Sequence, residues 1–388
     1  MEDISKIFDR IKLKTYETAQ GNRYFDIVRN IFVNITPEET VRQRMIKYLI
    51  DNMNVNIDNI QVEDHLSHWN IKDFNGRMDI VLTYNDNDDR KVLAVIECKK
   101  EDIFIESMQF FEQAENYANL VESKYVILVN GTNIQFYYKE SDKFNPIQGI
   151  LKYEDMLNNI HSYIEEKPFK RLKYELYYHY GFLQSQKWFD SIIGYITRLD
   201  LVPCIANFDD CLWDYDKKLK YVKSKNFSLI DDLGIKYRQY YDSNMTSGYY
   251  RIFILQNNKT KIKFLTGFSI ISNGRSHLSI MYYDGISDKI SIQIDLNKFL
   301  TVDSKHKTAV FTHNGSTNRK GKSKKDFIEY INNKNSDLIK DDKVYFGKID
   351  YSVNLTMENK DVIDLISNMI EYSVYEIEYK TSFSKLKK

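Results

Sequence analysis

Two carboxylates and a lysine stand at the ends of neighbouring apolar runs within residues 75–100, NGRMDIVLTYNDNDDRKVLAVIECKK. Asp79 opens the run MDIVLTY, while Glu97 and Lys99 close the run VLAVIECK. The polar cluster at 85–90 supplies a turn, so the stretch is predicted to be a β-hairpin. Side chains alternate along a strand, which sends Glu97 and Lys99 to one face and Cys98 to the other, into the core. A strand interior of Val, Leu, Ala and Ile has no structural need for a carboxylate beside an ammonium. Two acidic groups on adjacent strands can hold a divalent metal through oxygen, which suits Mg²⁺, and a lysine beside them can orient or deprotonate a water. Such a set can cut phosphodiesters. For an E-x-K triplet on its own, the competing reading is the solvated end of a strand.

The elements that would position these groups follow from the flanking sequence. Thr36-Pro37-Glu38-Glu39 starts a helix: Thr36 can cap it, Pro37 is tolerated in the first turn, and the glutamates face the positive end of the dipole. Val41, Met45, Tyr48 and Leu49 form its buried stripe. After Lys100, residues 106–122 read as a helix on which Gln109, Gln113 and Tyr117 share one face. Phe110, Phe111, Ala114, Ala118 and Val121 supply its packing side. Residues 125–129 are a wholly apolar strand of the kind buried on both faces, Asn130-Gly131 turns the chain, and 134–138 return as a further strand. The order is α-β-β-β-α-β-β, preceded in residues 1–34 by patterns compatible with a helix and a strand.

Six motifs in register carry a resemblance: TPEETVRQ (36–43), QVED (61–64), GRMDI (76–80), IECKK (96–100), FEQAENY (111–117) and VILVNGT (126–132). Residues 36–138 thereby resemble the N-terminal nuclease domain of type I restriction enzyme R subunits, a branch of the PD-(D/E)XK superfamily. The resemblance implies an α/β restriction-endonuclease-like domain, a mixed sheet flanked by helices. It implies that Asp79 and Glu97 bind the metal, that Lys99 is catalytic, and that Gln113 and Tyr117 aid positioning. With the backbone carbonyl of Cys98, the two carboxylates would hold Mg²⁺, for which Mn²⁺ can substitute. An acidic residue on the first helix is also implied near the metal, at Glu38 or Glu39; Glu39 is preferred because it shares a helical face with Arg42 and Gln43. Glu63 is either a further acidic group near the metal or a polar position on an edge strand. Met78 stands where the superfamily name has its proline, which this branch commonly lacks. Type I R subunits carry a motor domain after the nuclease, and 388 residues leave no room for one.

That length favours two domains, read as a nuclease domain at 1–155, a helical connector at 156–206 and a β-rich α+β domain at 207–388. The connector carries YELYYHYGFL and KWFDSIIGYI, whose aromatics at helical spacing belong to a core more readily than to base stacking by Trp188 or the tyrosines at 174–180. In the last part, YYRIFILQ, KIKFLTGFSII, HLSIMYYD and KISIQIDL predict an antiparallel meander. VYFGKIDYSV continues it after the helix KKDFIEYI, and a final helix, KDVIDLISNMIEY, leads into a basic tail.

Lysine plus arginine equals aspartate plus glutamate at 55 each, but residues 1–150 hold 18 basic against 25 acidic side chains and the remainder 37 against 30. An acidic metal-binding domain joined to a basic one suits a nucleic-acid partner. Three cysteines are too few for a disulfide framework or a four-ligand zinc site, which implies a reducing cytosol. No run has signal-peptide or membrane-spanning character, so a cytoplasmic protein without membrane contact is expected. Only 4 Pro beside 30 Tyr and 22 Phe argues for packed, aromatic-rich cores.

The loop NGSTNRKGKSKK (314–325) lacks P-loop spacing, with five residues between Gly315 and Gly321 where four are required, so an NTPase is not expected. Its Arg319, Lys320, Lys322, Lys324 and Lys325 are candidates for phosphate contact, against a solvated turn. His65 and His68 lack a third ligand at telling spacing. The leading expectation is a Mg²⁺-dependent endonuclease acting on DNA, with partner subunits or a homodimer as protein partners and a defence role implied by the resemblance alone. Its alternatives are a binding or assembly protein that keeps the fold without cutting, and a nuclease acting on RNA.

Overall fold

In the computed structural model the first part of the chain forms the expected helix, at Ser5–Arg10, and where one strand was expected its aromatic and β-branched residues form three. After strand β1 (Glu2–Asp3) and helix α1 (Ser5–Arg10) come β2 (Thr15–Thr18), β3 (Gly21–Asp26) and β4 (Ile31–Asn34), a three-stranded antiparallel sheet. Gly21 at φ 97° and Asn30 at φ 56° make its turns. Helix α2 (Pro37–Asp51) starts as its sequence requires, with the Thr36 hydroxyl accepting the Glu39 N–H at 3.0 Å. The structure describes residues 1–388 except 73, 88, 106, 165–168, 186–187, 190, 225, 241–245, 257–259, 272–273, 284–287, 317–322 and 386–388, and the side chains of 381–385.

The chain divides into two units, Met1–Glu166 and Lys167–Lys388. The first continues with β5 (Ile60–His65), the expected hairpin β6 (Arg77–Asp86) and β7 (Asp89–Cys98), α3 (Met108–Leu120), β8 (Tyr125–Val129), β9 (Asn133–Glu140), β10 (Lys143–Ile147) and α4 (Tyr153–Leu157). Its sheet has the order β1-β9-β8-β7-β6-β5, with β10 added on β9. Only β7 and β8 pair in parallel, and α3 makes the crossover that parallel neighbours require. Val41, Met45, Ile46 and Leu49 of α2 pack with Ile96, Cys98 and Ile127 in one core. Phe110, Ala114 and Ala118 of α3 pack with Val95, Val126 and Leu128 in another. The unit is therefore a mixed sheet with a helix layer on each face.

The second unit begins with single helical turns where two aromatic helices were expected. Residues 174–178 form a 3₁₀ turn, α5 is Tyr180–Gln184, and the described part of KWFDSIIGYI runs in turns. Tyr177 and Trp188 are buried, donating to Asp210 at 2.7 Å and Asp209 at 3.0 Å on α6 (Val202–Trp213), so these two rings are core. The expected meander forms as β12 (Gly248–Gln256), β13 (Lys261–Ile271), β14 (Arg275–Tyr283) and β15 (Asp288–Asp295), with β11 (Ser228–Arg238) as an unforeseen fifth strand. Short helix α7 (Leu296–Phe299) leads to β16 (Leu300–Asp303) and β17 (Thr308–His313), followed by α8 (Lys324–Lys334), β18 (Ile339–Lys340), β19 (Lys343–Asp350) and α9 (Lys360–Lys385). Strand β19 does not extend the meander: it lies in a separate sheet of order β16-β17-β19-β18. Helix α9 runs beyond the expected KDVIDLISNMIEY and buries Val362, Leu365, Ile366, Met369 and Tyr372. Among the described residues no helix is long and apolar enough to cross a membrane.

One buried ion pair staples β11 to the rest of this unit. Arg251 on β12 donates to both Asp232 oxygens, with contacts of 2.6 to 3.0 Å, and to the carbonyls of Cys211, Leu212, Asp214 and Lys217 at the end of α6 and beyond. Removing one partner leaves the other charge stranded, so Arg251→Met should cost about 3–5 kcal/mol of stability, measured by urea unfolding. A loss under about 1 kcal/mol would mean that Asp232 finds solvent.

Candidate active site

Asp79 and Glu97 come together through hairpin register: Ile80 pairs with Ile96, and the next step towards the strand ends sets the two carboxylates side by side. Each is buried, Glu97 to 2% exposure. Cys98, as expected, points to the opposite face into the α2 core, where burial pushes its thiol pKa well up. Its backbone N–H donates to Asp79 Oδ2 at 2.7 Å, fixing that carboxylate from within the hairpin. Lys99 extends Nζ back to Glu97 Oε1 at 2.7 Å and to Gln113 Oε1 on α3 at 3.2 Å.

Gln113 thus stands where the helical-face reasoning put it. Tyr117, one turn on, lies against Gly76: a Cβ there would meet Tyr117 Cε1 at 2.8 Å, so the glycine of GRMD leaves room for the ring. Burial and then the Glu97 charge raise the Tyr117 pKa, while the Arg77 backbone N–H draws it down. Gln109, the third residue of that face, instead accepts from Ser107 Oγ at 2.6 Å near the start of α3.

The first-helix glutamates part company. Glu38 Oε1 lies 3.7 Å from Lys99 Nζ, whereas Glu39 is buried, ion-paired with Arg42 and 3.3 Å from Arg29, and accepts from Gln43 at 2.9 Å. Glu63, at φ 55°, reaches Arg42 at 2.8 Å and Arg77 at 2.6 Å. Arg42 is the member of this cluster that sequence reasoning named only as a neighbour of Glu39. Its guanidinium joins Glu39, Glu63 and Asp79, the last at 2.7 Å, and although burial opposes its charge, Asp79 and Glu39 raise its pKa. The signal was an arginine three residues after Glu39 and next to Gln43, a polar group of three among the apolar inward positions Val41, Met45, Ile46 and Leu49.

The electrostatics are those of crowded carboxylates. Burial, and then the Asp79 charge, push the Glu97 pKa up to about 8 against the pull of Lys99. Burial works against the Lys99 ammonium, yet Glu97, Asp79 and Glu38 raise its pKa, so it stays a cation. Among the described residues no group of three or more His, Cys, Asp and Glu side chains is arranged to hold a metal ion. The chemistry of the two carboxylates nonetheless fits a hard cation, because Glu97 Oε2 is buried and accepts no hydrogen bond. Both Asp79 oxygens are engaged, by Arg42 and by the Cys98 N–H. His68 and Trp69 both bind Asp64, at 2.6 and 2.7 Å, and the His65 ring lies edge-on to that of His68. In the second unit Lys324 and Lys325 are exposed in the first turn of α8, while Arg319, Lys320 and Lys322 lie outside the described residues.

Two outcomes follow from these charges. Between pH about 4.5 and 8 the native state holds a proton on Glu97 that the unfolded chain has released, so this group's contribution to stability falls as pH rises through that window. In EDTA, Glu97→Gln should therefore melt higher than wild type at pH 9 and match it near pH 4; parallel melting curves at both pH values would contradict the assignment. Arg42→Ala should cost about 3–5 kcal/mol in urea unfolding, and Arg42→Lys should recover only part, since an ammonium cannot span three carboxylates as a guanidinium does.

Residues 37–150 match the family described as type I restriction enzyme R protein N terminus. No curated protein and no solved structure matches the chain. The match spans α2, the hairpin, α3 and β8 to β10, and so includes Glu38, Arg42, Asp79, Glu97, Lys99, Gln113 and Tyr117. Residues 37–150, which hold the carboxylates, the lysine and the helix that carries Gln113, are thus similar to the N terminus of type I restriction enzyme R proteins.

Proposed function

We propose that the first unit is a Mg²⁺-dependent endonuclease that hydrolyses DNA phosphodiester bonds. The observation that carries this reading is Glu97 Oε2, a carboxylate oxygen buried without a partner beside a second carboxylate and a lysine. A purely structural role would leave that cost unrelieved. Asp79, Glu97 and the backbone carbonyl of Cys98 would hold the ion, with Mn²⁺ able to replace Mg²⁺. When bound, the ion supplies counter-charge to the phosphate and acidifies water. Lys99, a cation anchored by Glu97 and Gln113, serves as a donor that positions the attacking water and a phosphate oxygen rather than as the base. Water oxygen bonds to phosphorus as one phosphorus–oxygen ester bond breaks; one water proton passes to solvent and the leaving oxygen takes up another. The family likeness supports restriction of foreign DNA as the setting. One observation favours a second reading, a domain that keeps the fold without cutting: Arg42 and the Cys98 N–H engage both oxygens of Asp79.

Incubating the protein with plasmid, linear duplex and RNA, with and without Mg²⁺, separates these readings. Cleavage should require Mg²⁺ or Mn²⁺, and Ca²⁺ should allow binding without cutting. Asp79→Ala, Glu97→Ala and Lys99→Ala should each lower the rate by about 100-fold or more, and Gln113→Ala and Tyr117→Ala by less. Nicking undiminished by excess EDTA, or an Asp79→Ala protein as fast as wild type, would place the chemistry elsewhere.

A further inference from the structure

The small sheet β2–β4 turns its two faces to different tasks. Toward α2 it sends Tyr24, whose hydroxyl lies 3.3 Å from that of Thr40, and the fully buried Asp26, which accepts from Gln43 at 2.8 Å. Register places the opposite face: Tyr16 pairs with Arg23, Arg23 with Asn34, and Phe25 with Phe32. On that face the rings of Tyr16, Phe25 and Phe32 pack edge to face, with centroids 5.2 to 6.3 Å apart. Phe32 is 45% exposed. Lys14 Nζ sits 4.7 Å over the Tyr16 ring.

No strand residue on this face is a carboxylate; Glu17 pairs with Asn22 and so belongs to the other side. Lys12, Lys14 and Arg23 have no carboxylate within ion-pair distance among the described residues. At the edge of the sheet, Lys12 and Lys14 also border an open groove of about 190 Å³ against α2, which Tyr16 and Phe25 line together with Gln43, Ile46 and Ile50 and whose acid, Asp51, is held by Lys47 at 2.7 Å. Cations without a carboxylate partner beside the exposed Phe32 and the half-buried Tyr16 and Phe25 are out of character for this part of the chain, where residues 1–150 carry 18 basic against 25 acidic side chains. Two residues separate the end of β4 at Asn34 from α2, which carries Glu38 and Arg42.

We infer that this face is a binding platform for single-stranded nucleic acid. Rings take the bases by stacking, which every base permits, and Lys12, Lys14 and Arg23 take the phosphates. A duplex hides its base faces and gains only the phosphate contacts. A protein partner would pair these cations with carboxylates, and a second copy of the chain would bring cations against cations on the two-fold axis. The platform lies before residue 37, outside the family match, and the proposal stands whether or not Asp79 and Glu97 cut.

The test is fluorescence anisotropy with the full chain in EDTA, where a metal-dependent site is silent. Labelled oligodeoxythymidylate, oligouridylate and a duplex of the same length are compared. Single strands should bind at least about tenfold more tightly than duplex, and the two single-stranded arms separate a DNA from an RNA preference. Tyr16→Ala with Phe32→Ala should weaken single-strand binding about tenfold or more and change duplex binding by less than about twofold. Lys12→Ser with Lys14→Ser should reduce the salt slope by about 1.4. Phe32→Trp should keep affinity and lose indole fluorescence on adding strand, a stacking signature that a destabilised variant would not give. Single-strand affinity unchanged in Tyr16→Ala with Phe32→Ala, or a Phe32→Trp emission blind to the strand, overturns the proposal. So does a dimer in sedimentation velocity that Phe32→Ala converts to monomer.

Discussion

Two carboxylates forced together out of water set the terms for the whole first unit. Asp79 and Glu97 sit side by side because hairpin register demands it, and two carboxylates buried so close together call for counter-charge around them. Each surrounding element brings part of the answer. Helix α2 delivers Arg42 to Asp79, the end of β7 delivers Lys99 to Glu97, and α3 delivers Gln113 to hold Lys99. The restraint extends outwards through Glu39 and Gln43 to Asp26, whose oxygens also take the backbone N–H groups of Val28 and Arg29 and the Arg29 guanidinium. A helix that might have been purely apolar on its inner side therefore carries Glu39, Arg42 and Gln43 there, and the N-terminal sheet is fastened to it by charge as well as by packing.

The second unit shows what a buried ion pair looks like when structure is its only purpose. Arg251 and Asp232 exchange three hydrogen bonds, and their remaining capacity goes to four backbone carbonyls and to the N–H groups of Leu219 and Gly234. Every charge is answered. Around Glu97 the account does not close: Oε1 has Lys99, Oε2 has nothing, and the carboxyl is pushed up to about 8. Hydrogen bonding is thus complete in one place and short of one partner in the other, and that difference is what supports the proposed site.

What could be read from the sequence was whatever depends on near neighbours. Alternation found the hairpin and placed Cys98 inward; a spacing of four put Gln113 and Tyr117 on one face; Thr36 announced α2 through the cap it makes. Arg42 escaped because its partners, Asp79 and Glu63, are distant in sequence, and only tertiary structure shows that one guanidinium serves both. The choice between Glu38 and Glu39 is likewise tertiary: adjacent residues on a helix differ by 100° or so in direction, and that rotation sends one to Lys99 and the other to Arg29 and Arg42. Strand β11 was hidden by Asp231, Asp232 and Gly234, which break its apolar alternation, although Asp232 is among the most buried residues there. β19 carried a correct strand pattern and no information about which sheet it joins.

The N-terminal sheet bears on both halves of the functional reading. On the function proposed above, an acidic domain must overcome its own repulsion of phosphate, and the carboxylates around the proposed site, Glu38, Glu63 and Asp79, sharpen the difficulty. Arg42 is committed to those same carboxylates, and Lys99, tied to Glu97, offsets only part of the repulsion. Cations that attract substrate must therefore stand outside the buried cluster while remaining tied to it. The sheet meets that condition in its construction: Asp26 on one face locks it into the network around Glu39, and Lys14 and Arg23 on the other are left free of carboxylates. Even one residue of strand slip would exchange the two faces, taking Asp26 out of the core and turning the aromatic rings inward. The buried aspartate that supports α2 is thus also what keeps the rings and cations pointing out.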